Sequence, residues 1–289
     1  MEGGPGPAGG IVKRLLGLAL AALLALVLLG YTGVVLSAGS PSSDRVWADG
    51  QEIQPSVSFT GRSVRIEGVR DFAHAPDGTV TEAWRDWVVP LQDVRAVWFA
   101  LAPFEDAWEG LAHAFVSFEL ADGRHLAISV EARREEGETY TLKGGLTRRF
   151  ETTYVIGTEP DLLGLRALRG DVLYLYPSRA TPEQAQSLLI DMLRRAEMLR
   201  REPEWYNTLT NNCATNLRAH VNRVATEPLP LGWATLFPGY SDELALERGL
   251  LATDLPLEQA RARYRVDEKV RAALAEGAQD LSQRIRAGG

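Results

Sequence analysis

The first pattern along the chain is an apolar segment near its N-terminus. From Leu15 to Leu36 there are 22 residues without a charged side chain, and as a helix they would span roughly 33 Å, enough for the hydrocarbon core of a bilayer. Lys13 and Arg14 precede this segment, so the positive-inside rule keeps the N-terminus in the cytoplasm and sends the rest of the chain outside. A long cleavable signal ending near Ala38 is the alternative, and it leads to the same compartment.

The next part of the chain alternates apolar and polar residues with the period of β-strands. The clearest case is a hairpin, with one strand at 113–120, a turn at 121–123 and a second strand at 125–131. Alternation or short apolar runs predict further strands within the segments 56–71, 87–101, 154–157 and 171–176.

Helical spacing takes over in the last third of the chain. The segment Thr181–Gln184 combines an N-cap threonine, a proline at the first helical position and a glutamine at the third, and apolar residues then recur at helical spacing up to Pro203. A second helix is predicted to open at Asn212 or Cys213, and further helical segments are predicted within 240–250 and 257–285. Strands that precede helices along the chain indicate an α+β fold.

These patterns predict one large domain outside the cytoplasm, since no interior linker or repeat interrupts the chain after the apolar segment. The predicted segments are a cytoplasmic N-terminus at 1–14, a transmembrane helix at 15–36, a linker at 37–55, the domain at 56–255 and a C-terminal helical extension at 256–289.

Composition and charge narrow the classes of function. The 289 residues are 45% hydrophobic and 24% charged, which is typical of a folded globular protein. The formal net charge of −7 lacks the basic excess with which proteins hold nucleic acid. A single cysteine excludes an internal disulfide, and with four histidines that lack a metal-binding spacing it predicts neither a metal site nor a cofactor.

Cys213 is the candidate nucleophile. It follows a polar run that ends in Asn211 and Asn212, so one of these would cap the helix and place the thiol in its first turn. There the helix dipole is expected to lower the pKa of the thiol, and free N–H groups could hold an oxyanion. The alternative is a small buried side chain without chemistry. An unpaired thiol outside the cytoplasm is prone to oxidation, which favours the nucleophile.

His113 is the candidate base because the faces of its strand can be assigned. Pairing the apolar faces sets Phe118 against Ile128, with the register fixed up to an even shift. This register puts His113, Ser129 and Glu131 on one polar face, with Glu131 diagonal to the imidazole. The pattern predicts a Cys–His–carboxylate site in which Glu131 or Ser129 orients the ring. The alternative for Glu131 is an ordinary solvated residue.

The other three histidines carry weaker claims to be the base. His220 lies about 10.5 Å from the thiol along the same predicted helix, too far for a hydrogen bond. His125 lies at the hairpin turn, roughly 20 Å from His113, and His74 falls in a turn-rich segment.

Five separated motifs resemble one bacterial family. They look like the family defined by the N-terminal periplasmic domain of Lnb-type proteins, whose best-understood members are lipoprotein N-acyltransferases, and they occur in family order. The motifs are VRDF at 69–72, AHAFVSFEL at 112–120, HLAISVEARREEGE at 125–138, YNTLTNNCATNL at 206–217 and LFPGYSDELALERGLL at 236–251.

The resemblance implies a circularly permuted papain-like fold of the NlpC type, in which the histidine strand precedes the cysteine helix. It carries the roles of base and nucleophile to His113 and Cys213. Ser129 and Glu131 match its Ser-Val-Glu stretch, and the third catalytic member stays open between them. The resemblance also implies a periplasmic domain, held in the inner membrane by one helix, that acts on a membrane lipid or lipoprotein.

The leading hypothesis is therefore a membrane-anchored cysteine acyltransferase or hydrolase that works through a thioester on Cys213. The backbone amide of Cys213 would be one oxyanion donor, and Tyr206, Asn211 or Asn212 would supply the second. An amidase or peptidase that acts on cell-wall peptide is one alternative. A polar open cleft beside Cys213, in place of an apolar groove, would favour it. A non-catalytic envelope scaffold is the other, and an inert thiol would favour it.

Overall fold

The structure is a computed structural model that describes residues 7–75, 77–104 and 108–287. Strands and helices are both extensive in it, which confirms the predicted α+β class. The strands are β1 (Ser56–Thr60), β2 (Ser63–Arg70), β3 (Ala73–His74), β4 (Val80–Thr81), β5 (Trp84–Pro90), β6 (Val94–Pro103), β7 (Ala112–Leu120), β8 (His125–Arg133), β9 (Glu151–Thr158) and β10 (Tyr174–Pro177).

The helices lie at the N-terminus, between strands and throughout the C-terminal half. They are α1 (Pro7–Ser37), α2 (Leu142–Leu146), α3 (Glu159–Leu168), α4 (Pro182–Arg201), α5 (Cys213–Val221), α6 (Trp233–Leu236), α7 (Ser241–Glu247), α8 (Leu257–Tyr264), α9 (Asp267–Ala275) and α10 (Leu281–Arg286). Short 3-10 turns at Leu91–Asp93 and Pro238–Tyr240 complete the regular structure.

One eight-stranded sheet forms the centre of the domain. Its strands run in the order β1-β2-β9-β8-β7-β6-β10, and β5 pairs with β2 beside this path. The pairs are antiparallel except for β2 and β9, which meet in parallel at Arg70 and Gly157. The β7–β8 hairpin therefore lies in the interior of the sheet, where both faces can be covered.

Apolar layers cover both faces of the hairpin. Phe118 and Ile128 pack under α4 and α5, whereas Phe115 and Ala127 face the layer formed by α3, α9 and α10. The face predicted to be polar is thus largely buried, and Ser117 on this face has no exposed surface. The side chains of the hairpin therefore alternate between two buried layers, one on each face of the sheet. They do not alternate between a core and the solvent.

The C-terminal helices belong to the domain. Apolar side chains of α9 and α10, among them Val270, Leu281 and Ile285, are almost fully buried in the core beneath α3. The helices from Leu257 to Arg286, within the segment predicted to be an extension at 256–289, therefore complete the second layer of the domain, because the sheet would otherwise expose that face.

The predicted linker at 37–55 is partly packed. Trp47 is buried and lies under the Arg133 guanidinium, 3.7 Å from the ring centre. The side-chain oxygen of Gln51 accepts a 2.6 Å hydrogen bond from the Arg134 amide. Before this segment, α1 extends the predicted transmembrane segment at both ends, and by length and composition Ile11–Ser37 could cross a membrane, with a mean hydropathy of 2.4.

The register of the hairpin differs from the predicted one by two residues. The structure pairs Phe118 with Leu126, and not with Ile128. The cause is the turn, since Leu120 bonds to Arg124 across three residues and Gly123 takes the left-handed conformation, with φ of 85°, that closes such a turn. The shift is even, so every side chain keeps its predicted face.

Candidate active site

The start of α5 is fixed by a reciprocal cap. Asn212 is the N-cap, and its side chain accepts a 2.8 Å hydrogen bond from the Thr215 amide. In return, the Thr215 hydroxyl accepts from the Asn212 amide at 2.9 Å. These two bonds satisfy donors that a helix start leaves free, and Cys213 becomes the first residue of the helix as predicted.

We expect Asn212→Ala to lower the free energy of unfolding by about 1 kcal/mol, because it removes the cap. Its effect should also reach the thiol, so the rate at which iodoacetamide alkylates Cys213 should change. Thr181→Ala is the matched control, since Thr181 caps α4 in the same way. It should cost a similar stability and leave the alkylation rate unchanged. An equal change of the rate in both variants would contradict a local role for Asn212.

A buried polar network holds α5 against the sheet. The Asn216 side-chain amide donates to Oδ1 of Asn211 at 2.8 Å and to the Asn212 carbonyl at 2.9 Å. The Tyr154 hydroxyl lies 2.5 Å from Nε2 of His220, whose other ring nitrogen contacts Asp191. His220 is thus a buried packing residue that ties the end of α5 to β9 and α4.

The thiol of Cys213 lies where β7 and β8 separate. The ladder between these strands ends at Val116 and Ile128, before it reaches His113. The backbone amides of Ala114, the residue after His113, and of Ala214 are close enough to the sulfur to lower the pKa of the thiol. The nucleophile candidate on α5 is therefore seated against the backbone of the strand that carries the base candidate.

The structure brings His113, Ser129 and Glu131 together in one chain of contacts. Nε2 of His113 lies 2.6 Å from the Ser129 hydroxyl, and that hydroxyl donates to Oε1 of Glu131 at 3.0 Å. The direct distance from the imidazole to the carboxylate is 3.8 Å. Ser129 thus lies between the two groups, so both residues that the sequence left open as third member take part.

These contacts fix the tautomer of the imidazole. An ionised Glu131 carboxylate can only accept hydrogen bonds, so the Ser129 hydroxyl is the donor in the bond between them. The lone pairs of the hydroxyl are then free to accept from an Nε2–H group of His113. A neutral imidazole with its proton on Nε2 carries its basic lone pair on Nδ1. The sequence could not reveal this order, because it depends on the side-chain contacts.

Arg166 is a site residue that the sequence interpretation missed. It lies on α3, and its guanidinium is 3.4 Å from Oε1 of Glu131. The helix itself was not predicted, although Thr158 before it, Pro160 and the acidic first turn are signals of a helix start. Arg70 lies beside this cluster and donates two hydrogen bonds to the Asp161 carboxylate. Oδ1 of that carboxylate also lies 2.8 Å from Nε2 of His74.

Burial and charge set the protonation states of the site. Burial, together with the Arg166 cation, lowers the pKa of His113 to about 3. Burial would raise the pKa of Glu131, but Arg166, His113 and Arg70 outweigh it and hold that pKa at about 2. Burial raises the pKa of the Cys213 thiol, more than the two amide donors lower it. The expected lowering by the helix start is therefore wrong in direction, and the Cys213 thiol and the His113 imidazole both rest in their neutral forms.

We expect Arg166→Gln to bring an acid limb into the pH profile. Arg166 lowers the pKa of both Glu131 and His113, so without it the imidazole becomes protonated at a higher pH and stops acting as a base. Alkylation of Cys213 should fall several-fold more at pH 5 than at pH 8 relative to the unchanged protein. Arg166→Lys retains the charge and should keep the original profile. The same loss at both pH values would contradict the electrostatic role.

The three predicted oxyanion residues differ in what they can do. The Asn211 side-chain amide donates to Thr152 and to the Trp205 carbonyl, both at 3.0 Å, and that of Asn212 donates to the Thr208 carbonyl at 2.6 Å. These bonds hold the loop that precedes α5. Tyr206 is buried and lies close enough to Cys213 to interact electrostatically with the thiol.

An apolar cavity lies next to the start of α5. Its volume is about 560 Å³, within the range of roughly 300–1,000 Å³ that small-molecule sites occupy. Ala114 and Ala214, the residues after His113 and Cys213, line it. It continues between the sheet and α5, and three arginines and Glu227 add charged groups to its wall. The apolar lining includes Val97, Phe99, Val116, Leu217 and Val221, and the arginines are Arg179, Arg218 and Arg248.

The fold and the site define an α+β domain, tethered to an apolar N-terminal helix, with a thiol and an imidazole at one end of its sheet. A family profile described as the Lnb N-terminal periplasmic domain matches residues 80–239, more than half of the chain and the part that carries every candidate site residue. The chain belongs to this family, which confirms the predicted resemblance. The family is defined by a periplasmic domain. The N-terminal apolar helix is consistent with a single-pass membrane protein. No curated protein and no solved structure matches the chain.

Proposed function

We propose that the protein is a cysteine acyltransferase or hydrolase, anchored in the inner membrane by α1, that takes an acyl group from a membrane lipid or lipoprotein onto Cys213. The observation that carries this proposal is the apolar cavity lined by Ala114 and Ala214, the residues that follow His113 and Cys213. An acyl chain is apolar and needs such a cavity, whereas cell-wall peptide needs polar partners along an open cleft. The base strand precedes the nucleophile helix along the chain, which is the order that the resemblance to a permuted papain-like fold implies, and this order supports the same chemistry.

The reaction starts from the neutral pair. Nδ1 of His113 takes the proton from the Cys213 thiol as the sulfur attacks the carbonyl carbon of the donor ester. The backbone N–H of Cys213 and the Tyr206 hydroxyl hold the oxyanion. The tetrahedral intermediate collapses, the C–O bond to the alcohol breaks, and the alcohol leaves with the proton from His113. An amine or a water molecule then attacks the thioester while His113 takes its proton. The C–S bond breaks, and the departing sulfur recovers that proton as the thiol.

Ser129 and Glu131 support the imidazolium that forms during this transfer. The carboxylate lies 3.8 Å from the ring and stays ionised, since its pKa is about 2. The positive charge that His113 gains is therefore matched by a charge already in place. Ser129 orients the ring through its 2.6 Å contact with Nε2.

The far end of the cavity should set the length of acyl chain that the protein accepts. Val221 lines the cavity roughly 10.5 Å along α5 from Ala214. Val221→Trp should lower the rate with long acyl chains about tenfold relative to short ones, because the indole fills the end of the cavity. Ala219→Trp is the control, since Ala219 is exposed on the same helix. Rates are compared for donors of different chain length, and an unchanged preference would contradict the placement of the chain.

The proposal is tested by giving the full chain, in vesicles, two classes of substrate side by side. One is a phosphatidylethanolamine with a defined acyl chain, and the other is a cell-wall peptide. We expect the phospholipid to be converted to its lyso form, with the acyl group recovered on an added amine or as free acid. Cleavage of the peptide alone would replace the proposal with the amidase hypothesis, and no reaction of either would favour the scaffold.

A further inference from the structure

The site and the end of α1 lie at the same end of the sheet. The pairs Pro103–Ala112 and Arg133–Glu151 close the β6–β7 and β8–β9 ladders at this end, next to His113. The connection between β8 and β9 carries α2, and the connection between β6 and β7 carries Trp108.

The last turns of α1 contact the β8–β9 connection directly. The Tyr31 hydroxyl donates to the Leu146 carbonyl at 3.1 Å, and the Arg148 guanidinium donates to the Val35 carbonyl at 3.4 Å. Tyr31 and Val35 lie where the apolar span of α1 ends. If α1 spans a membrane, the membrane surface is therefore close to this end of the domain.

An exposed aromatic patch lies at this end too. It consists of Trp108, Trp233 and Phe237, whose rings contact one another at centroid distances of 4.2 Å to 6.1 Å, together with the exposed Leu231 two residues before Trp233. Leu231, Trp233 and Trp108 nevertheless expose 67%, 61% and 49% of their surface. Tryptophan side chains that stay this exposed are typical of surfaces that meet a membrane interface, because the ring is apolar and its N–H is polar.

The aromatic patch is continuous with the cavity. Trp233 opens the short helix α6, and the next two residues of that helix, Ala234 and Thr235, line the cavity wall. Leu229, two residues before Leu231, lines it as well. One short segment therefore presents apolar groups outward on one side and bounds the acyl cavity on the other.

We propose that the aromatic patch seats the domain in the interface of the membrane that holds α1, so that an acyl chain passes from the bilayer into the cavity without crossing water. Insertion of the aromatic patch is inferred from its exposure and from the position of α1. The passage of the acyl chain into the cavity rests in addition on the proposed function. The chain is acidic overall, so attraction to the bilayer comes from the apolar rings and not from charge, and a bilayer of neutral lipids is the expected partner.

Insertion is tested with the full chain in vesicles of phosphatidylcholine and phosphatidylethanolamine whose acyl chains are brominated. Cys213→Ser removes the native thiol, and Leu231→Cys then carries a fluorescent label. Ala121→Cys, exposed in the hairpin turn at the opposite end of the sheet, is the matched control. We expect the bromines to quench the label at 231 at least twofold and the label at 121 not at all. Equal quenching at the two positions would overturn the proposal.

The passage of the chain is tested by a Trp108→Ala, Trp233→Ala double variant with an intact site. We expect its rate on a phospholipid in vesicles to fall about tenfold, equivalent to about 1.4 kcal/mol, while its rate on a dissolved short-chain thioester stays within twofold. A similar fall on both substrates would overturn the route from the bilayer. If the unchanged protein acts on neither substrate, the proposed function fails, and the quenching experiment still decides whether the aromatic patch enters the membrane.

Discussion

Replacing Cys213 by alanine is expected to abolish acyl transfer, with the rate falling on the order of 10⁴-fold or more. The thiol is the atom that forms the thioester, and no neighbouring group can replace it, since Cys213 is the only cysteine of the chain. The measurement is the release of lysophospholipid from vesicles that contain the full chain, quantified by mass spectrometry.

Cys213→Ser is the companion variant, because it keeps the size and polarity of the buried side chain. Serine is a weaker nucleophile beside the same base, so its rate should also fall by several orders of magnitude. Thermal unfolding of both variants must match that of the unchanged protein, so that loss of rate is not loss of fold. An alanine variant that keeps more than a tenth of the rate would contradict a covalent role for the thiol.

His113→Ala is expected to lower the rate by roughly 10²- to 10⁴-fold, the usual contribution of a general base. His125→Ala is the matched control, since His125 is equally buried and lies on the same hairpin, but pairs with Glu119 at the opposite end. It should lower the rate by less than about threefold. The same lysophospholipid assay measures both variants, and equal losses would contradict a special role for His113.

The pH profile of the unchanged protein should lack an acid limb near pH 6.5. A base whose pKa is lowered to about 3 stays in its basic form at every pH above that value, so acidification from pH 7 to pH 5 should leave the rate unaffected by its protonation. The rate of lysophospholipid release is the measurement, because direct alkylation would also follow the ionisation of the thiol, whose pKa burial raises. A fall of the rate with a midpoint near the ordinary histidine pKa would contradict the lowered pKa of His113.

The sequence was sufficient where the relevant interactions are local. The capping box at Thr181 is confirmed in both of its hydrogen bonds, and α5 starts at Cys213 because Asn212 caps it. The faces of the hairpin are also as predicted, since alternation along a strand requires only the pleat. These features depend on residues within a few positions of one another.

The sequence was not sufficient where distant segments meet. Arg166 reaches Glu131 from a helix 35 residues further on, and no local pattern indicates such a contact. The helix start at Cys213 suggested a lowered thiol pKa, but burial by the surrounding elements reverses that direction. Burial depends on the complete packing of the domain, so it can be read only from the folded chain.

The most direct test of the central claim, that the Cys213 thiol accepts an acyl group with His113 as its base, is to trap the acyl-enzyme. The full chain is incubated with palmitoyl phospholipid in vesicles without an amine acceptor, and its intact mass is followed over time. We expect the mass to increase by one palmitoyl group, the group to map to Cys213 and to be released by hydroxylamine, and its formation to be at least 100-fold slower in His113→Ala. An acyl group on another residue, or equal rates of acylation in the two proteins, would contradict this claim.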